Sequence, residues 1–311
     1  MALDKGHKKA DKELKALEKR IKKEYGQAYT EMKEKTEAWL ETFRQRETKM
    51  LADLREGKIT HKDYIEWRQN NMLSTKQMKG IVGDLSRTLD KYDERANELI
   101  NGHAKSVFVS QYNYGVREVK DALGNKVDTS ALSFSLVDEH TVNRLVKEDI
   151  KLLPKIDDDD KSKKKRKKWN EQKLQSALTQ GILQGDPIDK MAKRLQTVEK
   201  MTSGQAVRTA RTMTTSAENG GRMASYHDAE EMGIEMMKTW VATLDDRTRD
   251  AHAELDGVTI PVDEEFENSI GKIMYPADPD CDDPENVYNC RCTLIASIKN
   301  VPRNMAIRQR K

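Results

Sequence analysis

From Glu13 to about Leu54 the sequence carries one unbroken helical stripe, and that stripe limits what the chain can fold into. Leu14, Leu17, Ile21, Tyr25, Ala28, Met32, Trp39 and Phe43 recur three and four residues apart, the spacing that lines one face of an α-helix. No proline breaks it, and Gly26 is its one weak point. A charged helix of that length with a single apolar stripe is not stable alone, so it needs a partner helix or a partner protein. Residues 74–101 supply a candidate, with Met78, Ile81, Val82, Leu85, Leu89, Tyr92 and Leu99. Between the two, "EGKITHKDYIEW" reads as a turn and a short helix with Thr60 as N-cap. Residues 1–110 are therefore expected to form an extended helical hairpin or bundle.

Composition agrees with long, solvated helices rather than one compact enzyme-like globule. Charged residues make up 35% of the chain, hydrophobic ones 36% and aromatics 5%. The 56 basic and 53 acidic residues leave a net charge of +3, so attraction to nucleic acid or to an anionic membrane has to be local. No window is long and apolar enough to span a membrane, and "MALDKGHKKADKELKALEK" lacks the apolar core of a signal peptide. Three cysteines, an odd number, point to a reducing compartment rather than a disulfide framework. The expectation is a protein made in a cytosol.

Residues 111–169 read as a connecting segment. "DALGNKVDTSALSFSLVDEHTVNRLV" places a Gly-Asn turn before a strand-like run, and Asp138 then caps a helix. "KIDDDDKSKKKRKKWN" is the sharpest change of composition, four aspartates and then seven basic residues among the eight from Lys161 to Lys168. Residues 157–168 are expected to be an exposed linker and domain boundary. The competing reading is phosphate contact with DNA through Lys163, Lys164, Lys165, Arg166, Lys167 and Lys168, opposed by the acidic block that can neutralise them in cis.

Beyond the boundary, "EQKLQSALTQGILQGDPIDKMAKRLQTV" reads as two helices: Gly185 ends the first, Asp186 caps the second and Pro187 opens it. A DNA-reading pair is the weaker interpretation, since the second helix offers only Lys190, Lys193, Arg194 and Lys200. A further helix, about 204–232, bears small residues at Ala206, Ala210, Ala217, Gly220 or Gly221, and Ala224. Glycines inside a helix cost about 1 kcal/mol each, so they imply tight packing, most simply against a sheet. Gly233 closes this helix and "IEMMKTWVATL" follows as a strand around Trp240.

The last segment holds the residues with chemistry. "LDDRTRDAHAELDGVTIPVDEEF" reads as a strand end, a short helix bearing Arg247, Arg249 and His252 under an Asp245 or Asp246 cap, an Asp-Gly turn and a new strand. In "YNCRCTLIAS", strand alternation would put Tyr288, Cys290, Cys292 and Leu294 on one face and Asn289, Arg291 and Thr293 on the other. Three readings compete. A zinc set of His252, Cys281, Cys290 and Cys292 has legitimate ligands, but a one-residue gap along a strand is a poor chelate. A zinc deaminase would match "HAE" at His252–Glu254, but its cysteines stand two residues apart after a proline, whereas here one residue separates them and Asn289 precedes. The preferred reading is structural: buried cysteines act as small hydrophobes, while Arg291 and His252 bind carboxylates such as Asp246 or loop carbonyls. A Cys290–Cys292 disulfide is disfavoured, because neighbours on one strand face have near-parallel Cβ vectors.

Taken in order, "GILQGDPIDKMA", "RTARTMTTSAENGGRMASY", Trp240 with "DDRTRDAHAELDG", "YPADPD" and "NCRC" resemble the head-morphogenesis domain of bacteriophage minor capsid proteins, the family typified by the F protein of phage Mu. The resemblance covers about residues 170–297, and the amino-terminal helices are similar in style to minor head proteins of phages of Gram-positive bacteria. Its motif residues here are Trp240, Asp246, Arg247, Arg249, His252, Gly257, Asn289, Cys290, Arg291 and Cys292. It implies a low-copy virion protein, made in the host cytoplasm and held inside the capsid near the portal. The implied partners are the portal protein, the major capsid or scaffolding protein, and phage DNA that it contacts or accompanies at ejection. No catalytic residue and no cofactor are implied, although the domain also occurs joined to toxin modules. Some relatives carry further cysteine or histidine positions that would complete a metal site. Here Cys281 falls outside the motif, so no metal is expected. The expected fold is α+β, a long helical amino-terminal region followed by a small helix-plus-antiparallel-sheet domain over 170–300, with a basic tail at 301–311.

Overall fold

A computed structural model describes residues 4–72, 75–124, 160–184, 186 and 188–302. The described residues form α1 (Lys5–Arg55), α2 (His61–Met72), α3 (Thr75–Leu123), α4 (Asp160–Leu183) and α5 (Ile188–Glu231). They continue with β1 (Glu235–Val241), α6 (Asp250–Ala253), β2 (Thr259–Pro261), β3 (Phe266–Glu267), β4 (Lys272–Ile273), α7 (Pro284–Val287) and β5 (Thr293–Asn300). The class is α+β, long helices followed by a small antiparallel sheet. The strand-like run after Gly124, the Asp138 cap, Gly185, Pro187 and the tail at 303–311 lie outside the described residues.

Two compact units divide the chain, and neither is continuous in sequence: residues 1–18, 99–156 and 207–311 make one, 19–98 and 157–206 the other. The boundaries expected at 110 and 170 instead fall inside α3 and α4. Lys161–Lys168, expected in an exposed linker, is helical, because α4 starts at Asp160. The two helices read on either side of residue 202 are one helix, α5, since nothing between Ile188 and Glu231 breaks the hydrogen-bond ladder.

The helical unit is built on the stripe. Ile21, Ala28 and Met32 are fully buried, as are Leu85, Leu89 and Ala96 of α3 and Leu174 and Leu195 of α4 and α5. The stripe thus has its partner within the chain. One polar knot lies in this core: the Tyr25 hydroxyl donates to Asp93 at 2.5 Å and the Asn170 amide donates to the same carboxylate at 3.1 Å. Burial raises the Asp93 carboxyl to about 6. α2 opens with a capping box, as Asp63 N–H donates to Thr60 Oγ1 at 3.2 Å and Thr60 N–H to the Asp63 carboxylate at 2.8 Å.

In the other unit, β1 is the central strand of a sheet ordered β2-β1-β5, antiparallel throughout. β3 and β4 form a separate two-stranded ribbon. Gly221 of α5 faces the backbone of α3: a Cβ there would stand 2.5 Å from the Phe108 carbonyl oxygen. The tight packing expected of the small residues is thus against a helix at this position rather than a sheet. The sheet side of α5 is polar instead. Leu294 N–H donates to Asn219 Oδ1 at 3.0 Å, Asn219 donates to the Cys292 carbonyl at 3.2 Å, and Thr215 donates to the Cys290 carbonyl at 2.7 Å. Arg222, with no exposed surface, donates to the Leu294 carbonyl at 2.5 Å and to both Asp4 oxygens at 2.9 Å. Burial works against its charge, but those bonds, with Glu218 close by, hold it protonated.

Candidate functional site

The site lies where the end of β1, the short helix α6 and the turn before β5 meet. Residues 288–292 are not strand. β5 begins only at Thr293, Tyr288 is 60% exposed, and Asn289 takes a left-handed φ of 56°. The alternation expected for "YNCRC" therefore fails at Tyr288 and at Thr293, which is buried and donates to Glu218 at 2.8 Å. α5 fixes this turn by taking the carbonyls of Cys290 and Cys292, while Thr212 Oγ1 accepts Asn289 N–H at 3.1 Å. The chain has no need of strand pairing here, because helix side chains satisfy its backbone groups.

On the opposite wall, the β1–α6 loop is a self-bonded turn. Asp245 Oδ1 accepts Arg247 N–H at 3.0 Å, and Thr243 Oγ1 reaches across to the Arg291 carbonyl at 2.6 Å. Asp245 caps this turn and not α6, whose N-cap is Arg249 with no side-chain cap. Arg291 grips Asp245 with two bonds of 2.6 and 2.5 Å. The fork of donors holds the Asp245 carboxyl below its ordinary value. The carboxylate partner is thus Asp245, where Asp246 was expected. Arg249 donates to the Tyr288 carbonyl.

Behind the loop, His252 is 2% exposed and packs edge-on against Trp240, centroids 5.4 Å apart at 75°. The Asp-Gly turn supports that tryptophan, Gly257 at φ 82° donating its N–H to the Trp240 carbonyl at 2.9 Å. His252 Nε2 has no hydrogen-bond partner among the described residues. Its Nδ1 points at both thiols, 3.5 Å from Cys290 Sγ and 3.7 Å from Cys292 Sγ, and not at a carboxylate or loop carbonyl as expected. The three donor atoms all lie within 4.8 Å of one another. Burial pushes the Cys290 thiol well above its ordinary value, whereas its hydrogen bond to Cys292, with His252 adjacent, holds Cys292 well below. Cys281 stands outside this group, its thiol directed at the Lys272 carbonyl at 3.4 Å.

Of the motif residues, Arg247, Arg249, His252, Asn289, Cys290, Arg291 and Cys292 line one cleft, with Thr243 and Thr248. Trp240 and Gly257 lie behind His252, and the exposed Asp246 is not among the lining residues. Sequence reasoning missed the α5 residues that shape the cleft. Their signal was present: Thr212, Thr215, Asn219 and Arg222 recur at helical spacing on the stretch that also carries Ala210, Ala217 and Gly221. Lys163–Lys168 belong to the helical unit.

Residues 172–295 match the family described as "Phage Mu protein F like protein". Over 248 residues, 77% of this chain and 71% of the relative, the sequence is 29% identical to minor head protein GP7 of Bacillus phage SPP1. Over 134 residues it is 30% identical to the NAD(+)--arginine ADP-ribosyltransferase EFV of Enterococcus faecalis, spanning 42% of this chain but 26% of that enzyme. It is also 31% identical over 130 residues to an uncharacterized protein of Haemophilus influenzae, again a quarter of that protein's length. No solved structure matches the chain.

Proposed function

We propose that this bacteriophage minor head protein, whose residues 172–295 belong to the phage Mu protein F like family, acts in head assembly at the portal vertex. The observation that carries the reading is the length of the match to SPP1 GP7. It runs over 248 residues, far beyond the 172–295 segment, so the likeness takes in helical sequence ahead of that segment. The partners are the portal protein and, around it, the major capsid or scaffolding protein. Docking through the apolar stripe is excluded within this reading, because Leu17, Ile21, Ala28 and Met32 are buried inside the chain. The outer face of α1, with exposed Lys19, Arg20, Lys22 and Lys23, is left to make the contact. Co-purification with the portal protein from infected cells tests this. Reversing the charge of those four residues should lower the yield of the pair without unfolding the chain, and an unchanged yield would rule out this face.

A second role, contact with packaged DNA, is favoured by the helical placement of the basic run. Lys161, Lys164, Lys165 and Lys168 are exposed and fall at helical spacing on one face of α4, while Lys167 approaches Asp90 at 3.9 Å. Replacing the four with alanine should weaken DNA binding equally across sequences and reduce its dependence on salt. The reading makes the chain a virion component rather than an enzyme. Its kinship with the Enterococcus faecalis enzyme spans 26% of that protein and carries no activity across. Among the described residues, no helix is long and apolar enough to cross a membrane.

A further inference from the structure

We propose that His252 Nδ1, Cys290 Sγ and Cys292 Sγ bind one thiophilic divalent cation of the zinc class, with a fourth position open to the cleft. The proposal stands apart from the portal assignment and uses only the geometry of this unit. A tetrahedral zinc ion, with bonds of about 2.3 Å to sulfur and about 2.0–2.1 Å to nitrogen, holds its donors about 3.6 Å (N···S) and about 3.8 Å (S···S) apart. The observed Nδ1···Sγ separations of 3.5 and 3.7 Å straddle the first value. Two of the three donor separations thus already suit a tetrahedral ion, and the two sulfurs lie within 4.8 Å of each other, so small side-chain adjustments complete the set.

Two thiols one residue apart along a strand chelate poorly, but Cys290 and Cys292 lie in the turn before β5. Asn289 in the left-handed region reverses the chain, and Cys292 N–H folds back onto Cys290 Sγ at 3.4 Å, so both sulfurs converge on one point. Hydrogen bonding alone explains the arrangement less well. Nδ1 has either one lone pair or one proton, so it can make one good bond to a thiol, yet it is almost equidistant from two. Nor are these sulfurs simply filling an apolar core: one side of the group opens to a cleft walled by Thr243, Arg247, Thr248 and Arg249. The donor set selects the cation. Two sulfurs and an imidazole suit zinc, whereas magnesium and calcium require oxygen ligands. A two-cysteine, one-histidine shell with a free fourth position is a recognised zinc arrangement, and water or a small ligand in the cleft would complete it. Bound there, the ion would tie α6 to the turn before β5 across 38 residues of chain.

The test uses the full chain, purified without an affinity tag, and measures bound metal. One zinc per chain is expected, kept in Cys281→Ser and lost in Cys290→Ser and in Cys292→Ser. Full zinc content in Cys290→Ser would overturn the assignment. Should the cysteine variants fail to fold, the wild-type chain can be stripped with a chelator and titrated with cobalt. A thiolate-to-cobalt charge-transfer band that saturates at one equivalent and is erased by zinc but not by magnesium supports the site. A folded, stripped chain that develops no such band refutes it.

Discussion

Replacing Gly221 with alanine should destabilise the protein even though alanine is the better helix former. The new Cβ would stand 2.5 Å from the Phe108 carbonyl oxygen and 3.0 Å from the Tyr112 amide nitrogen. Both are backbone atoms of α3, so no side chain can swing away and the two helices must separate. Helix propensity favours the change by about 1 kcal/mol, while overpacking a tight interface costs about 1–3 kcal/mol. With a contact this short the upper part of that range applies, leaving a net loss of about 1–2 kcal/mol, or about 2–8 °C in melting temperature. Gly26 is the control. It lies in the middle of α1, and a Cβ there meets nothing within 4 Å, so Gly26→Ala should stabilise by about 0.4–1 kcal/mol. The two glycines belong to different units, so thermal melts followed by helical circular dichroism should be fitted for separate transitions. A Gly221→Ala protein that melts at or above the wild-type temperature would show that α5 and α3 do not meet as closely as described.

Other perturbations probe the site and the buried charges. Burial raises the Glu118 carboxyl from 4.5 to about 7, so the folded state holds its proton more tightly than the unfolded one. Its contribution is present below about pH 4.5 and is lost as pH rises through 7. Glu118→Gln should match the wild type near pH 4 and exceed it by about 3 kcal/mol at pH 8, read from urea midpoints, and equal differences at both pH values would contradict this. A double-mutant cycle of Arg291→Ala and Asp245→Ala should give a coupling of about 0.5–1 kcal/mol, modest because both side chains are about 30% exposed. An Arg291→Ala chain that folds and enters heads normally would show that this pair matters little to assembly.

Much of the helical region was legible because burial and periodicity coincide there. Ile21, Ala28 and Met32 on one side and Leu85 and Leu89 on the other were identifiable by spacing alone, and they are core. What spacing could not show is where a helix stops. α3 runs on through Tyr112 to Leu123, and α5 passes 200–204 unbroken, because tertiary contacts override the local signals taken as boundaries. The cysteines failed for a different reason. Alternation assumes a paired strand, but at 288–292 the backbone is satisfied by Thr212, Thr215 and Asn219 from a helix some seventy residues earlier. The identity of the important residues, His252, Cys290, Arg291 and Cys292, was readable. Their mutual geometry was not, since it depends on that long-range hydrogen bonding.

Chemical cross-linking with mass spectrometry on intact, purified virions reports directly where the chain sits. Cross-links are expected from the exposed lysines of α1, Lys19, Lys22 and Lys23, to the portal protein, at a copy number far below that of the major capsid protein. Cross-links spread evenly over the major capsid protein, with none to the portal, would contradict it.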